Sequence, residues 1–316
     1  MTAYRHTSGD PGSSDIEERM KTGSPHSETA NARVTLGVVA ISRNEEDDLS
    51  WFLDNLVGWV DEIIVVDDGS TDRTREIARE ASGNVVLVER DMTEAEGFAG
   101  QRNAGIAVCQ SDWILNMDID ERVTPELAQE ILEAIRYTKL NAFRFRRLNF
   151  FVHRPMKAGG WGSWNQPRIA RRGYHRFVNR VHERCLVEGE PESVGQLTGL
   201  MWHLNDASYE ERLRKSFLYS SIDAREIIEN GFKVTWLDLS LRPMLEFFKK
   251  FFWLRGFRDG LPGMVAGIHS ADAVFRTLAL AWDIQNRIPR QDLEMELQDC
   301  WKLFPHHHGK DDGVSG

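Results

Sequence analysis

Two pairs of acidic residues in the first half of the chain have the spacing of a divalent-cation site. Asp67 and Asp68 follow one apolar, β-branched run, and Asp118 and Asp120 follow another. A single acid after a strand is commonly a turn or helix-cap residue, but two acidic pairs at one sheet edge repel each other unless a counter-ion is present. Carboxylate oxygens favour Mg²⁺ or Mn²⁺, so the pattern predicts one of these two cofactors.

The glycine-rich sequences that hold phosphates in other nucleotide-binding folds do not occur here. There is no G-x-x-x-x-G-K-[ST], and no G-x-G-x-x-G opens the first predicted helix. A nucleotide bound by this chain would therefore be held by carboxylates at its base and ribose and by a metal at its phosphates.

The acidic pairs can form one site only if the strands before them end at a common sheet edge. The hydrophobic pattern of the sequence predicts such strands. Apolar runs alternate with helical patterns, which is typical of a parallel sheet flanked by helices. Ligands of such sheets bind beyond the carboxyl ends of the strands, where the acidic pairs lie. The predicted strands are 34–41, 62–66, 85–89 and 113–117. The predicted helices are 46–57, a segment capped by Ser70 or Thr71 and ending near 81, 98–109, and a helix from Thr124-Pro125 to about 137.

The alternation stops after residue 141. One more strand is predicted at 142–151, then a Gly-, Trp- and Arg-rich segment to about 205, then helices at 209–230, 236–257, 262–287 and 290–303. We expect an α/β domain over 34–208, with halves 34–140 and 141–208, and a helical C-terminal region over 209–304. Residues 1–33 are predicted to be a disordered tail, and 305–316 a second tail.

The charge of the chain is unevenly distributed. The 316 residues carry a formal net charge of −10, which argues against a nucleic-acid-binding protein. Residues 142–184, here called the basic segment, contain eleven Lys or Arg and a single acid, Glu183, and so carry +10. The basic segment predicts an anionic partner; the alternative is an arginine-rich face in contact with water.

Four motifs in the first half resemble family 2 glycosyltransferases of the GT-A fold. They are Val39–Glu46 (VAISRNEE), Ile64–Asp72 (IVVDDGSTD), Gln101-Arg102-Asn103 and Asp118–Glu121 (DIDE). The resemblance covers about residues 34–135. It implies a Rossmann-like, mostly parallel sheet flanked by helices, which binds a nucleotide-sugar donor.

The resemblance also implies roles for individual residues. Asp118 and Asp120 correspond to the D-x-D motif at the ribose and at the metal-bound diphosphate. For Arg102, which would lie near the nucleotide, the alternative is a surface position on its helix. The implied nucleotide-sugar contacts are Ser42, Asn44, Glu45, Asp67, Asp68, Arg102 and Asp118.

The second half narrows the resemblance to the lipopolysaccharide inner-core β-1,4-glucosyltransferase branch, through to about Asp283. One departure is Gly162–Asn165, where that branch has a Tyr-Pro-Asp-like stretch on the expected acceptor side. The predicted acceptor-binding residues are Trp161, Arg168 and His182. The matching residues are Gly159-Gly160-Trp161, Arg168, Val181-His182-Glu183, His203, Leu241-Arg242-Pro243 and Arg255–Gly260.

The catalytic roles follow from the chemistry of the family. Family 2 enzymes invert the anomeric carbon, and a one-step displacement needs a general base at the acceptor hydroxyl. Glu183 is the predicted base, because it is the only acid of the basic segment; the alternative is that it pairs with an arginine. A metal at Asp120 would stabilise the departing diphosphate. His203 is predicted as a further metal ligand, and the alternative is a structural hydrogen bond.

Residues 247–258 (FFKKFFWLRGFR), here called the aromatic segment, contain six aromatic and four basic residues and no acid. This composition is typical of the membrane–water interface; the alternative is a buried helix with basic ends. No run of 18 apolar residues and no apolar leader segment occurs, and the three cysteines are widely spaced. We therefore predict a cytoplasmic protein that is peripheral on the inner face of the cytoplasmic membrane.

Together these observations predict an inverting glycosyltransferase. It would move a hexose, with glucose expected, from a UDP-linked donor to an anionic glycolipid such as lipopolysaccharide core. Alternative acceptors are a polyprenyl-phosphate-linked sugar and a peptide side chain. An inactive nucleotide-sugar-binding scaffold is the alternative from another class, and the intact acids Asp118, Asp120 and Glu183 argue against it. The sequence leaves the oligomeric state open.

Overall fold

The computed structural model describes residues 33–179 and 183–304, which form two compact units. Unit 1 contains the described residues up to Lys157 together with Trp161–Asn205. Unit 2 contains Ala158–Gly160 and the described residues from Asp206 onward. The two predicted tails, apart from residue 33, and the predicted acceptor residue His182 lie outside the described residues.

Unit 1 has a mixed, mostly parallel sheet flanked by helices, as predicted. Its helices are α1 (Leu49–Leu56), α2 (Thr74–Glu80), α3 (Gly97–Val108) and α4 (Pro125–Ala134). The strands are β1 (Leu36–Ser42), β2 (Glu62–Asp67), β3 (Val85–Glu89), β4 (Trp113–Asp118), β5 (Glu121–Val123), β6 (Ala142–Phe151), β7 (Arg154–Pro155), β8 (Asn165–Arg171), β9 (His175–Val178), β10 (Arg184–Val187) and β11 (Val194–His203). Among the described residues, nine strands form one sheet in the order β3-β2-β1-β4-β8-β6-β11-β5, with β7 beside β6, and β9 pairs with β10.

The first four strands confirm the prediction from the apolar runs. They are parallel to one another, and β1, β2 and most of β4 are buried, which explains why their sequences are nearly continuous in apolar residues. In the register of the sheet, Ser42 lies opposite Asp67 and Ile41 lies opposite Asp118. The two acidic pairs therefore follow strands that end at the same edge.

Two predicted helix starts have different outcomes. Thr124 caps α4 by accepting a hydrogen bond from the Leu127 amide, with Pro125 in the first turn, as expected. The prediction that Ser70 or Thr71 caps the next helix is wrong, because α2 begins at Thr74. The Ser70 side chain and amide instead donate to the buried carboxylate of Asp67.

The predicted strand at 142–151 is confirmed as β6, but the sequence did not predict the strands β5 and β7–β11. Strand β8 contains polar residues and a proline, and β11 contains two glycines, so neither has the apolar run of a buried strand. In β11 the register against β6 shifts between Gln196 and Leu200, and this bulge brings His203 opposite Asn149. Glu130 of α4 holds the bulge by accepting hydrogen bonds from the amides of Thr198 and Gly199.

Unit 2 is helical, as predicted. Its α-helices are α5 (Tyr209–Glu229), α6 (Trp236–Phe248), α7 (Leu261–Asn286) and α8 (Arg290–Lys302). The predicted helix 236–257 is α-helical only to Phe248; a π-helical turn (Lys249–Trp253) and a 3-10 turn (Gly256–Asp259) follow. Between these two turns, Arg255 has a left-handed φ of 58°, which no right-handed helix can contain. None of the helices in the described ranges is long and apolar enough to cross a membrane.

Candidate active site

Asp118, the last residue of β4, lies among three arginine side chains. Its Oδ1 atom accepts a hydrogen bond from Arg102 of α3, and its Oδ2 atom lies 3.5 Å from Arg147 and 3.9 Å from Arg168. These arginines expose only 2%, 13% and 7% of their side chains. Burial opposes ionisation of Asp118, but Arg102 and Arg168 outweigh it and hold its pKa well below the usual range. Asp118 is therefore ionised at neutral pH.

Arg102 connects Asp118 to the predicted base. Its guanidinium donates to Asp118 and to the carbonyl of Met117, and its Nε atom lies 3.3 Å from Oε1 of Glu183. The alternative of a surface position for Arg102 is wrong, because the side chain is buried. Glu183 is largely covered and pairs with Arg102, as the alternative interpretation expected, and its role as the base stays a prediction.

The next residue of α3 fixes the hairpin that carries Glu183. Asn103 donates from Nδ2 to the carbonyl of Phe177 and accepts at Oδ1 from the Phe177 amide, both at 2.9 Å. Phe177 of β9 pairs with Cys185 of β10, two residues after Glu183. Two consecutive residues of α3 thus contact Glu183 and the hairpin next to it.

Glu121 is a buried acid that the sequence analysis did not single out. It is 1% exposed, it accepts a hydrogen bond from the Asp118 amide at 2.9 Å, and Arg147 donates to it at 2.8 Å. Burial and the neighbouring Asp118 charge raise its pKa. The Arg147 guanidinium also stacks on Trp164, 4.0 Å from the ring centroid. Glu121 and Arg147 therefore fix the backbone and side chain at the end of β4.

The predicted metal ligands Asp118, Asp120 and His203 come together at this edge. One ligand atom from each lies within 4.8 Å of the other two. His203 Nε2 is 3.3 Å from Asp120 Oδ2, and the Leu204 amide donates to the Asp120 carbonyl at 2.9 Å. Two carboxylates and an imidazole are a donor set that fits Mn²⁺ better than Mg²⁺, which prefers oxygen alone.

The loops after β1 and β2 form the adjoining part of the edge. Asn44 has a left-handed φ of 56°, its amide donates to Ser70, and its Oδ1 atom accepts from the Thr71 amide at 2.8 Å. Asp68 accepts from Arg43 at 2.9 Å and from the Met92 amide at 2.7 Å. These bonds hold three loops together around the Asp68 carboxylate.

Two of the predicted donor-binding residues, Asp67 and Ser42, are buried behind the sheet edge. Asp67 is fully buried and accepts hydrogen bonds from Ser42 and Ser70, so its carboxylate holds the turn. Ser42 is likewise buried behind it. The Glu45 amide donates to Thr74 at the start of α2, at 2.7 Å.

The basic segment does not form one solvated face. Arg147 and Arg168 lie inside the site, and Arg171 donates to the carbonyls of Leu140 and Thr138. Several others are exposed: Arg146, Arg154, Arg172, Arg176 and Arg184. Trp161 is half-buried beside Phe151, with ring centroids 5.8 Å apart, and its backbone oxygen accepts from Asn149. The charge of the segment thus divides between the site and the surface.

The comparison with known families follows this geometry. Residues 37–184 match the family model Glycosyl transferase family 2. This part of the chain is a family 2 glycosyltransferase domain. The matched range includes Asp118, Asp120 and Glu183.

The similarity to curated relatives extends beyond the matched range. An uncharacterized glycosyltransferase of Rickettsia typhi is 28% identical over 253 residues, which cover 76% of this chain and 84% of the relative. A lipopolysaccharide core biosynthesis glycosyltransferase of Rhizobium meliloti, LpsC, is 26% identical over 251 residues, covering 78% of this chain and 92% of the relative.

Among solved structures, one similar chain is glucosyl-3-phosphoglycerate synthase from Mycobacterium tuberculosis in complex with Mn²⁺, UDP and glucosyl-3-phosphoglycerate. It is 17% identical, and the similarity covers 72% of this chain and 88% of the synthase with a TM-score of 0.41.

The arrangement predicts a large stability cost when Arg102 is lost. Arg102→Met leaves Asp118 and Glu183 without their shared buried counter-ion, so we expect a loss of about 3–5 kcal/mol in the free energy of unfolding. The matched variant Arg79→Met removes an exposed pair with Glu89 and should cost less than about 1 kcal/mol. Urea unfolding followed by circular dichroism measures both.

The stabilisation that Arg102 provides should depend on pH. Arg102 lowers the pKa of Asp118 in the folded protein. The contribution of the Arg102–Asp118 pair to the free energy of unfolding is therefore complete above the ordinary carboxyl pKa, and it is lost as the pH falls through the lower pKa of the folded state. The difference in the free energy of unfolding between the wild type and Arg102→Met should therefore be largest at pH 7 and smaller in acid. Equal costs for the two arginine variants would contradict the assignment.

Proposed function

We propose that the protein is an inverting hexosyltransferase that moves a sugar, with glucose expected, from a UDP-linked donor to an anionic glycolipid. The observation that carries this proposal is the joining of the D-x-D acids, His203 and Glu183 at one sheet edge, with Arg102 between Asp118 and Glu183. The name of the Rhizobium meliloti relative supports an acceptor of the lipopolysaccharide-core type.

On the donor side, Asp68 and Glu45 bind the nucleoside, and Asn44 shapes the loop beside them. Buried Asp67 and Ser42 support this loop and do not themselves need to contact the donor. Asp120 and His203, with Asp118, are the residues that would hold a divalent cation, Mn²⁺ or Mg²⁺. When bound, such a cation supplies positive charge to the departing diphosphate.

On the acceptor side, Glu183 takes the proton of the attacking hydroxyl. Its Oε1 atom faces Arg102 at 3.3 Å, so Oε2 is the atom expected to accept the proton. The same arginine contacts Asp118, and this contact fixes the distance between the base and the donor-binding strand end. Trp161, Arg168 and His182 are the residues proposed for the acceptor, and the exposed arginines of the basic segment attract its anionic groups.

The general-base role predicts a specific kinetic effect. Glu183→Gln keeps the size of the side chain but removes its basicity, so kcat should fall about 10²–10⁴-fold while the dissociation constant for the donor stays unchanged. Nucleotide release with UDP-glucose and a core glycolipid measures turnover, and calorimetry measures donor binding. Glu188→Gln, an exposed acid after β10, is the control.

Other outcomes of this experiment separate the alternatives. Loss of donor binding together with turnover would make Glu183 a structural residue. Full turnover by Glu183→Gln would contradict the base assignment. Donor binding by the wild type without transfer to any glycolipid, polyprenyl-phosphate sugar or peptide acceptor would favour the inactive scaffold.

A lipid-linked acceptor requires the enzyme to attach to the membrane. The aromatic segment supports such attachment, because some of its aromatic side chains are packed inside unit 2 and others are exposed. Phe247 and Phe251 stack at an interplanar angle of 14° and lie against Gly267 of α7. Phe252 and Trp253 point outward, 51% and 84% exposed, and exposed Lys249 and Arg258 lie in the same segment. We place this surface against anionic headgroups on the inner face of the cytoplasmic membrane.

Vesicle flotation tests the membrane contact. Phe252→Glu/Trp253→Glu should lower the fraction bound to vesicles of phosphatidylcholine and phosphatidylglycerol at least about tenfold, because inserted aromatic side chains contribute roughly 1.5–3 kcal/mol each. The control Tyr137→Glu changes an aromatic residue of unit 1 that is 95% exposed. Equal flotation of the double variant and the wild type would refute the contact, as would a wild type that does not bind.

A further inference from the structure

Asn149 lies directly behind the proposed metal ligand His203. The two residues face each other in the register of β6 and β11, and Asn149 is 8% exposed. Oδ1 of Asn149 is 2.8 Å from Nδ1 of His203. Nδ2 of Asn149 is 2.5 Å from the backbone oxygen of Trp161. The Asn149 amide therefore bridges a backbone carbonyl and the imidazole.

This bridge determines which atoms carry hydrogens. A backbone carbonyl only accepts hydrogen bonds, so the Asn149 NH₂ group must face Trp161 and the Asn149 oxygen must face His203. The amide oxygen also only accepts, so Nδ1 of His203 must carry a proton. The opposite amide orientation would place two acceptors against each other at Trp161.

The position of the Nδ1 proton sets the chemistry of the other ring nitrogen. In the neutral imidazole the lone pair is then on Nε2, the atom that lies 3.3 Å from Asp120 Oδ2. The lone pair and the Asp120 carboxylate are then two acceptors side by side, and a cation held between them would remove their repulsion. With the other tautomer, an N–H group would face the cation.

We propose that Asn149 is a positioning residue that fixes the tautomer and ring orientation of His203 for coordination of a divalent cation through Nε2. The proposal rests on the metal site of the proposed function. Partners of this kind, which hold the second nitrogen of a ligating histidine, commonly change metal affinity 10–100-fold when they are removed. The Trp161 carbonyl extends the effect, because it holds the Asn149 amide in the required orientation.

Metal affinity tests the proposal without reference to catalysis. In the full-length protein, Asn149→Ala should weaken Mn²⁺ binding about 10–100-fold, as measured by electron paramagnetic resonance of free Mn²⁺. Asn149→Asp keeps an acceptor for the Nδ1 hydrogen and should stay within about tenfold of wild type. The control Asn141→Ala removes an asparagine that bonds the Glu188 carbonyl at the other end of β6, and it should leave Mn²⁺ affinity unchanged.

A double-mutant cycle separates a role through His203 from a general effect on folding. If Asn149 acts only through the imidazole, Asn149→Ala/His203→Ala binds Mn²⁺ no more weakly than His203→Ala alone. Wild-type affinity in Asn149→Ala, combined with weak binding in His203→Ala, would overturn the positioning role. Unchanged affinity in His203→Ala would instead refute the metal-site proposal on which this inference rests.

A measurement on the wild type keeps the inference testable even if Asn149→Ala fails to fold. Two-bond ¹H–¹⁵N correlation spectra distinguish the two neutral imidazole tautomers. With saturating Mg²⁺, which is diamagnetic, the structure predicts that neutral His203 is protonated at Nδ1. A His203 signal with the proton on Nε2 would overturn the proposal.

Discussion

The site depends on a buried group of ions at the carboxyl end of β4. Arg102, Arg147 and Arg168 lie almost wholly out of solvent, and their charge is balanced by Asp118, Glu121 and Glu183. Each partner is costly to bury alone, so the group is stable only when it is complete. The need to keep the group complete determines where these elements meet: β4, β6, β8, α3 and the residue before β10. They meet at the sheet edge where a donor would bind.

The same ionic group links two parts of the proposed active site. The D-x-D acids end the parallel half of the sheet, whereas Glu183 belongs to a hairpin that lies much later in the chain. Arg102 contacts Asp118 and Glu183 at once, and Asn103 holds the hairpin through the Phe177 backbone. Two consecutive residues of a single helix thus contact the end of β4, Glu183 and the β9 strand next to it.

The parts of the fold that were predictable have a local physical signature. Strands β1, β2 and β4 are buried on both faces, so their sequences are almost continuously apolar, and the acids that follow them could be assigned to a common edge. Strand β8 could not be predicted this way, because it is buried partly through Arg168, whose type indicates a surface. Glu121 and Asn149 were missed since their roles depend on the neighbours that β6 and β11 provide. Asp67 illustrates the opposite case: an acid at the expected strand end that faces the interior and holds Ser70.

The central claim is that Asp120 and His203, beside the arginine-held Asp118, form the cation site of a nucleotide-sugar-binding centre. Anomalous diffraction at the manganese edge from crystals grown with Mn²⁺ and UDP tests it most directly. The structure predicts one strong peak in coordinating contact with an Asp120 oxygen and with His203 Nε2, next to the diphosphate of UDP. UDP bound at this edge with no anomalous peak between those two side chains would contradict the account.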